Sequence, residues 1–415
     1  LRDLAYLDYA ATSARRPASV VAAVGEYLES VGATPGRGGH RLALEAGRIV
    51  FRTRRDVCRV LGLGGDPGRL VFSLNATYAL NLALQGILSA GDAVVVTVFD
   101  HNAVLRPVRR LEAEHGVEVR VVGGDATGAM DAEAFSSAVQ GARLVVLNAV
   151  SNVLGTRLPV AALAREARAA GALVLVDTAQ SAGHLQVDLK DADLVAFTGH
   201  KGLLGPQGVG GLWVREGVVL KPLVSGGTGG DSSRVEMPSV LPDGLEAGTL
   251  NGPGIAGLGA GCRELLALGL PAVHAHVSRL KARLWDGLSA ISGVRVLSPP
   301  QPIRVTVRPV LVGLGQRTGT AAISGGDIDS TSFDLEPKAG GLETTVVFPE
   351  RIPGRNQPAR YSLTVTLDTR ISGEKVVRRF SLDAVPESFQ KLGSARDPGE
   401  MMEDRKVLAL SLIHI

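Results

Sequence analysis

The sequence predicts an α/β protein: a mostly parallel sheet covered by helices, followed by a truncated small domain and a β-rich C-terminal segment. Unbroken apolar runs alternate with helical patterns from about residue 20 to 215. Buried parallel strands read this way because crossover helices cover both faces of their sheet. After about residue 300 the helical period disappears, and strand-like runs alternate with Gly/Pro-rich turns. Lysine use shifts at the same place, with four lysines in residues 1–300 and four in the last 115.

The predicted strands are RLVFSLN (69–75), DAVVVTV (92–98), VEVRVVG (117–123), ARLVVLNAV (142–150), ALVLVD (172–177), DLVAFT (193–198) and GGLWV (210–214). Residues 271–291 place Val273, Val277, Leu280, Leu284 and Leu288 at helical spacing, and GVRVLS (293–298) then reads as a strand. Beyond SPPQP (298–302), the runs IRVTVRPVLVG, TTVVFPE, YSLTVTLDT and KVVRRFSLD read as strands. The expected division is a large α/β domain over 1–255, the start of a small α/β domain over 256–300, and an unrelated β-rich segment over 301–415. No internal repeat is visible.

The 415 residues are 45% hydrophobic, with mean hydropathy +0.18, which suits a soluble globular chain of two or three domains. The 44 basic and 41 acidic residues give a net charge of +3 and are scattered, so no nucleic-acid partner is expected. No apolar run approaches the ~20 residues of a membrane span, and no signal pattern opens the chain, so no membrane partner is expected. The two cysteines, Cys58 and Cys262, form neither a disulfide framework nor a zinc-type spacing, which suits the cytoplasm. The chain begins at Leu1 rather than Met, so its true start is expected upstream.

Ligands of such sheets sit beyond the carboxyl ends of the strands. Those ends deliver Thr77, His101, Asn152, Asp177, Gln180, Thr198, His200 and Lys201. One cofactor uses that inventory. Pyridoxal phosphate needs a lysine amine, a carboxylate for its ring nitrogen, phosphate donors at a helix N-terminus and a flat group over its ring. Taken singly, each residue has a plainer reading: Asp177 as a helix N-cap, Asn75-Ala76-Thr77 as a helix start, His101 as a structural histidine, Lys201 as a solvated loop residue. The joint arrangement on one sheet edge favours the cofactor. GLGAG (257–261), before a helical stretch, reads as close packing, and His274 and His276 point to different helix faces rather than to a metal.

The motifs YLDYAAT (6–12), GRGGHR (36–41), LNATYALNLAL (74–84), DHNAVLRP (100–107), SNVLGT (151–156), VDTAQSAGH (176–184), FTGHKGLLGPQGVGGL (197–212) and EAGTLNGPGIAGLGAG (246–261) resemble the class V aminotransferase family. Within it they resemble the cysteine desulfurase and selenocysteine lyase-like branch, over residues ~6–300. The resemblance implies fold type I of the pyridoxal phosphate enzymes, a homodimer, L-cysteine or L-selenocysteine as the small amino-acid substrate, and a sulfur acceptor protein. It makes Lys201 the Schiff-base lysine, His101 the group stacked on the ring and Asp177 the ring-nitrogen partner. Gln180 and Asn152 would lie on the ring's oxygen side, with Asn152 touching substrate. Thr77, Thr198 and His200 would hold the phosphate, Thr249 would reach that of the other subunit, and Arg37 would face substrate. Tyr9 stands where the family more often has Asn.

The resemblance breaks after residue 300. The family's sulfur-carrying cysteine and its carboxylate-binding arginine belong to a C-terminal motif resembling R-x-G-x-H-C, and residues 301–415 contain no cysteine. Cys58, in a helical pattern, and Cys262, expected to open a helix, read as buried structural thiols. The terminal LSLIHI (410–415) matches the in-frame translation of a transposase-adapter sequence used in DNA library preparation. Residues 301–415 are therefore expected to be a fused fragment, the alternative being an ordinary apolar tail. The expected function is a cysteine desulfurase-like enzyme impaired by that loss. The alternatives are a pyridoxal phosphate-dependent aminotransferase or β-eliminating lyase, and a non-enzymatic cofactor-binding scaffold with a β-rich binding module.

Overall fold

A computed structural model describes residues 6–36, 38–124, 130–228 and 235–291, and beyond them the backbone of seven strands. The elements run α1 (Ala18–Glu26), α2 (Arg41–Leu61), β1 (Leu70–Ser73), α3 (Ala76–Ile87), β2 (Ala93–Thr97), α4 (Asn102–His115), β3 (Glu118–Val122) and α5 (Ala132–Ala138). They continue with β4 (Leu144–Asn148), α6 (Val160–Ala169), β5 (Leu173–Asp177), β6 (Leu194–Thr198), β7 (Gly210–Val214), α7 (Gly252–Leu268) and α8 (Leu270–Ser289). Every one of the first seven apolar runs forms its strand.

These strands make one seven-stranded sheet in the order β1-β7-β6-β5-β4-β2-β3. Only β7 runs against its neighbours β1 and β6; the pairs from β6 through β3 are parallel. Strand residues alternate between two cores, one on each face. Val145 and Leu147 of β4 join Val174, Val176 and Phe197 on one side, whereas Leu144 and Val146 join Leu175, Leu194 and Leu212 on the other. The continuous apolar runs thus serve two helical layers at once. The order leaves the carboxyl ends of β2, β4, β5 and β6 on one edge.

The helix predicted over 271–291 is α8, and the face carrying Val273 and Leu280 is half-buried. GLGAG and Cys262 lie inside α7 rather than before or at the start of a helix, which corrects the expected boundary. The close-packing reading of GLGAG holds: a Cβ on Gly257 would come within 2.8 Å of Pro206 and Val24 side-chain atoms. α7 packs against α1 and α2, and it runs across the expected 255/256 division. GVRVLS lies outside the described residues. In the C-terminal segment, β8 (Arg304–Val307), β9 (Gly319–Gly325), β10 (Ile328–Lys338), β11 (Gly341–Val347) and β12 (Ser362–Leu367) form an antiparallel sheet in the order β12-β9-β10-β11-β8. β13 (Thr369–Ile371) and β14 (Glu374–Val376) form a separate hairpin. Among the described residues no single helix is long and apolar enough to cross a membrane.

A buried ion pair ties α2 to the sheet and to the segment before α7. Arg54 and Glu246 are 5% and 8% exposed, and the guanidinium donates from both terminal nitrogens to the carboxylate, at 2.8 and 2.7 Å. Arg54 also donates to the Leu70 carbonyl and stacks 4.7 Å from the Phe72 ring centre, while Glu246 accepts from the Phe72 amide. Breaking such a pair on one side strands a buried charge. Arg54→Met is expected to lower unfolding stability by about 3 kcal/mol in urea titration. Adding Glu246→Gln should recover part of that loss, because the stranded charge is removed.

Candidate active site

The edge formed by the carboxyl ends of β2, β4, β5 and β6 collects most of the expected residues. Register fixes Asn148 of β4 opposite Asp177 of β5, and Asp177 opposite Ala196 of β6. Asp177 is 4% exposed, and its Oδ1 accepts from the Ala179 amide at 2.8 Å. No helix begins there; the chain enters turns through residue 185, so the N-cap reading of Asp177 is not realised. Burial raises the Asp177 pKa, opposed by the charges of Lys201 and His101. The two bases therefore lie within electrostatic reach of the carboxylate. Asp177 makes no ion pair among the described residues.

His101 caps α4, its Nδ1 accepting from the Ala103 amide at 3.0 Å, so the neutral ring carries its proton on Nε2. Loss of solvent lowers its pKa first; Asp177 opposes that shift, and Lys201 and Arg106 add to it. The cap is the structural reading of His101, and the same ring feels the charge of Asp177. Lys201 is half-buried, and burial lowers its pKa against the pull of Asp177. Its turn is pinned from the N-terminal segment: Ser13 Oγ donates to the Lys201 carbonyl at 2.9 Å, and Arg16 Nε donates to the Gly205 carbonyl at 2.8 Å. Gln180, 6% exposed, donates to the Ala10 carbonyl at 3.3 Å. The same segment carries Tyr9, whose ring meets that of Tyr6 edge-on at 5.1 Å.

A second group of polar atoms lies beside β7, where backbone segments pack closely. Ser73 of β1 pairs with Gly210 of β7, which pairs with Thr198 of β6, so the start of α3 and the end of β6 flank a strand position without a side chain. A Cβ on Gly210 would stand 2.6 Å from Asn75 Cα and 2.7 Å from the Phe197 carbonyl. Asn75 caps α3, accepting from the Tyr78 amide at 2.9 Å, and Thr77 lies exposed in the first turn. Thr198 is 3% exposed, and its Oγ1 has no hydrogen-bond partner among the described residues. Helix-start amides, Thr77 and the unmet Thr198 hydroxyl suit an anion.

These observations fit pyridoxal phosphate: a buried carboxylate with no ion pair among the described residues, an amine with a lowered pKa, a capped imidazole, and a helix start near a buried hydroxyl with an unmet hydrogen bond. Asn152, in the half-buried turn after β4, and Thr249, exposed two residues before the α7 cap Asn251, have no hydrogen bond to this cluster among the described residues. Arg37 lies outside the described residues. Both cysteines are buried; burial pushes the Cys58 thiol up to about 12 and raises that of Cys262, as expected of structural thiols. No group of three or more metal-ligating side chains occurs among the described residues.

Sequence reasoning passed over Asp100, although it lies within the quoted DHNAVLRP. Its Oδ2 accepts from the Thr97 amide at 2.6 Å and the Thr97 hydroxyl at 3.1 Å, while its buried Oδ1 has no partner among the described residues. Asn148 steadies the same turn by donating to the Phe99 carbonyl at 2.9 Å. Burial, together with the Asp177 charge, raises Asp100 to about 7 against the Thr97 hydrogen bonds. A carboxyl whose pKa is higher folded than unfolded binds more protons in the folded state between the two values. Stability should therefore fall as pH rises from about 4 to about 7, and Asp100→Asn should flatten that part of the stability–pH curve in denaturant titration.

The class-V aminotransferase family matches residues 5–315. A probable cysteine desulfurase of Methanothermobacter thermautotrophicus is 39% identical over 313 residues, covering 73% of this chain and 77% of the relative. Among solved structures, the apo cysteine desulfurase from Thermococcus onnurineus is 34% identical with a TM-score of 0.64, covering 69% of this chain and 74% of that one. SspA in complex with cysteine is 27% identical with a TM-score of 0.55, covering 63% and 72%. The sheet order, the strand-end cluster and these similarities agree, and the chain belongs to the pyridoxal phosphate-dependent class-V aminotransferase family, in its cysteine desulfurase-like branch.

Proposed function

We propose that this chain is a pyridoxal phosphate-dependent, cysteine desulfurase-like enzyme acting on L-cysteine or L-selenocysteine. The observation that carries the reading is Asp177, a buried carboxylate without an ion-pair partner among the described residues, within electrostatic reach of His101 and Lys201. Asp177 would hold the ring nitrogen and keep it protonated, because a cation there compensates the cost of the buried charge. His101 would lie on the ring. Thr77, Thr198 and His200 would hold the phosphate, Thr249 would reach that of a second subunit, and Gln180 and Asn152 would face the ring oxygen. The cofactor, when bound, supplies withdrawal of electrons from the substrate's α-carbon. Lys201 holds or moves the proton at that carbon, and its lowered pKa makes the neutral amine more available near neutral pH.

The homodimer belongs to the same reading. α2 exposes Leu44 and Phe51, each 53% exposed, beside Arg48 and Arg52, a face suited to a second copy. Two buried, unpaired thiols fit a reducing compartment such as the cytoplasm. A sulfur acceptor protein would complete the reaction. The same burial supports a second reading: neither thiol is placed to attack sulfur, which favours a β-eliminating lyase or aminotransferase if residues 301–415 belong to the native chain.

With added pyridoxal phosphate, the wild-type protein should show a visible absorption band that L-cysteine shifts, and Lys201→Ala should lack it. Alanine release from cysteine supports the desulfurase, whereas pyruvate with ammonia selects the lyase. A folded wild type without any band would remove the cofactor assignment.

A further inference from the structure

The N-terminal segment does more than cover the lysine turn; it places a hydroxyl against the His200 ring. Thr12 Oγ1 lies 3.2 Å from the His200 carbonyl oxygen and 3.1 Å from His200 Nδ1. The Ser13 amide donates to the same carbonyl at 2.9 Å and holds the two strands of chain in place. A carbonyl oxygen only accepts, and we take the single Thr12 hydroxyl proton as given to it, beside that of the Ser13 amide. The ring contact is then made by Nδ1–H donating to a hydroxyl lone pair. A neutral imidazole carries one proton, which leaves Nε2 with a lone pair and nothing to donate.

A phosphate dianion also has no hydrogen to offer, so a neutral ring in this tautomer repels it. We propose that His200 takes up a proton at Nε2 when the cofactor's phosphate binds, and that Thr12 is the positioning residue that makes this uptake obligatory by holding Nδ1–H. The inference rests on the assignment of His200 to the phosphate end in the proposed function. The proton comes from solvent, the Nδ1–H bond to Thr12 is kept, and the new Nε2–H donates to a phosphate oxygen. No bond in the cofactor breaks.

The electrostatics of the empty ring agree with this order of events. Burial, then Lys201, then Arg16 lower the His200 pKa to about 4. Arg16 is held nearby by its bond to the Gly205 carbonyl, and no carboxylate pairs with His200 among the described residues. The ring is therefore neutral near pH 7 until an anion arrives to offset both cations. A group whose pKa is higher in the bound than in the free protein makes binding tighten as pH falls between the two values, by about tenfold per pH unit.

Titration calorimetry of the apo protein with pyridoxal phosphate, at about pH 7 in two buffers of unlike ionisation enthalpy, counts the protons exchanged. Absorbance on the same samples reports binding itself. Protons exchanged by the cofactor's own groups are common to all variants and cancel in the comparison. Wild type should take up about one proton more than Thr12→Val, whose ring is free to present Nε2–H, while Thr12→Ser should match wild type. His200→Gln, which donates without titrating, should match Thr12→Val. Nitrogen NMR of wild type gives an independent readout: Nδ1–H alone in the apo protein and both nitrogens protonated in the complex. Binding with equal proton counts in all four proteins, or an Nε2–H tautomer in the apo ring, overturns the proposal. Failure of wild type to bind overturns the cofactor assignment and this inference with it.

Discussion

The turn after β5 and the turn after β6 touch backbone to backbone, and the rest of the site depends on that contact. A Cβ on Gly183, whose φ is +85°, would overlap the carbonyl of Gly202, and one on Gly202 would overlap the carbonyl of Ala182 and the His184 ring. The absence of side chains at these two positions brings the segment that follows Asp177 against the segment that carries Lys201. With the two turns locked, the parallel register of β5 and β6 leaves the carboxylate and the amine on one edge. The N-terminal segment then closes over the pair, with hydrogen bonds from Ser13 and Arg16 into the lysine turn and from Gln180 back to Ala10.

Buried charge is handled differently at the site and away from it. Arg54 and Glu246 are fully engaged with each other and with backbone. Asp193, before β6, contacts Arg168 and Arg215 and accepts from the Val174 amide at 2.9 Å. Asp56 lies beside Arg55 and Arg263, each at 3.3–3.4 Å. Asp100 and Asp177 have no such partner among the described residues, and both have raised pKa values. The fold pairs its other buried carboxylates with arginines, whereas among the described residues it leaves these two without an ion pair and the Asp100 Oδ1 and Thr198 Oγ1 without a hydrogen bond.

The thiols sharpen the functional reading. Cys58 and Cys262 lie on the packed helices α2 and α7, near enough that the charge of one raises the pKa of the other. Burial keeps both as thiols, which are poor nucleophiles. Neither cysteine therefore has the exposed, low-pKa surroundings of a sulfur-carrying thiol.

The seven strands were legible because hydrophobic periodicity is local: five apolar residues in a row report burial on both faces wherever the chain later goes. Asp177, His101 and Lys201 were legible as a set because the strand-end rule converts such runs into positions on one edge. The start of α7 is not legible, since a helix rich in glycine and alanine carries little periodicity to mark it. Asp100 was passed over because a carboxylate beside a histidine looks solvated in sequence, and only packing shows one of its oxygens sealed without a partner. Thr12 lies 188 residues from His200, and nothing near either residue announces a hydroxyl that spans a carbonyl and a ring nitrogen. The sequence by itself determined which segments are buried strands and which chemical groups end them. The tertiary structure alone decided which backbones touch, which polar atoms are left unpaired and which hydroxyl meets an imidazole nitrogen, because those depend on contacts between segments far apart in the chain.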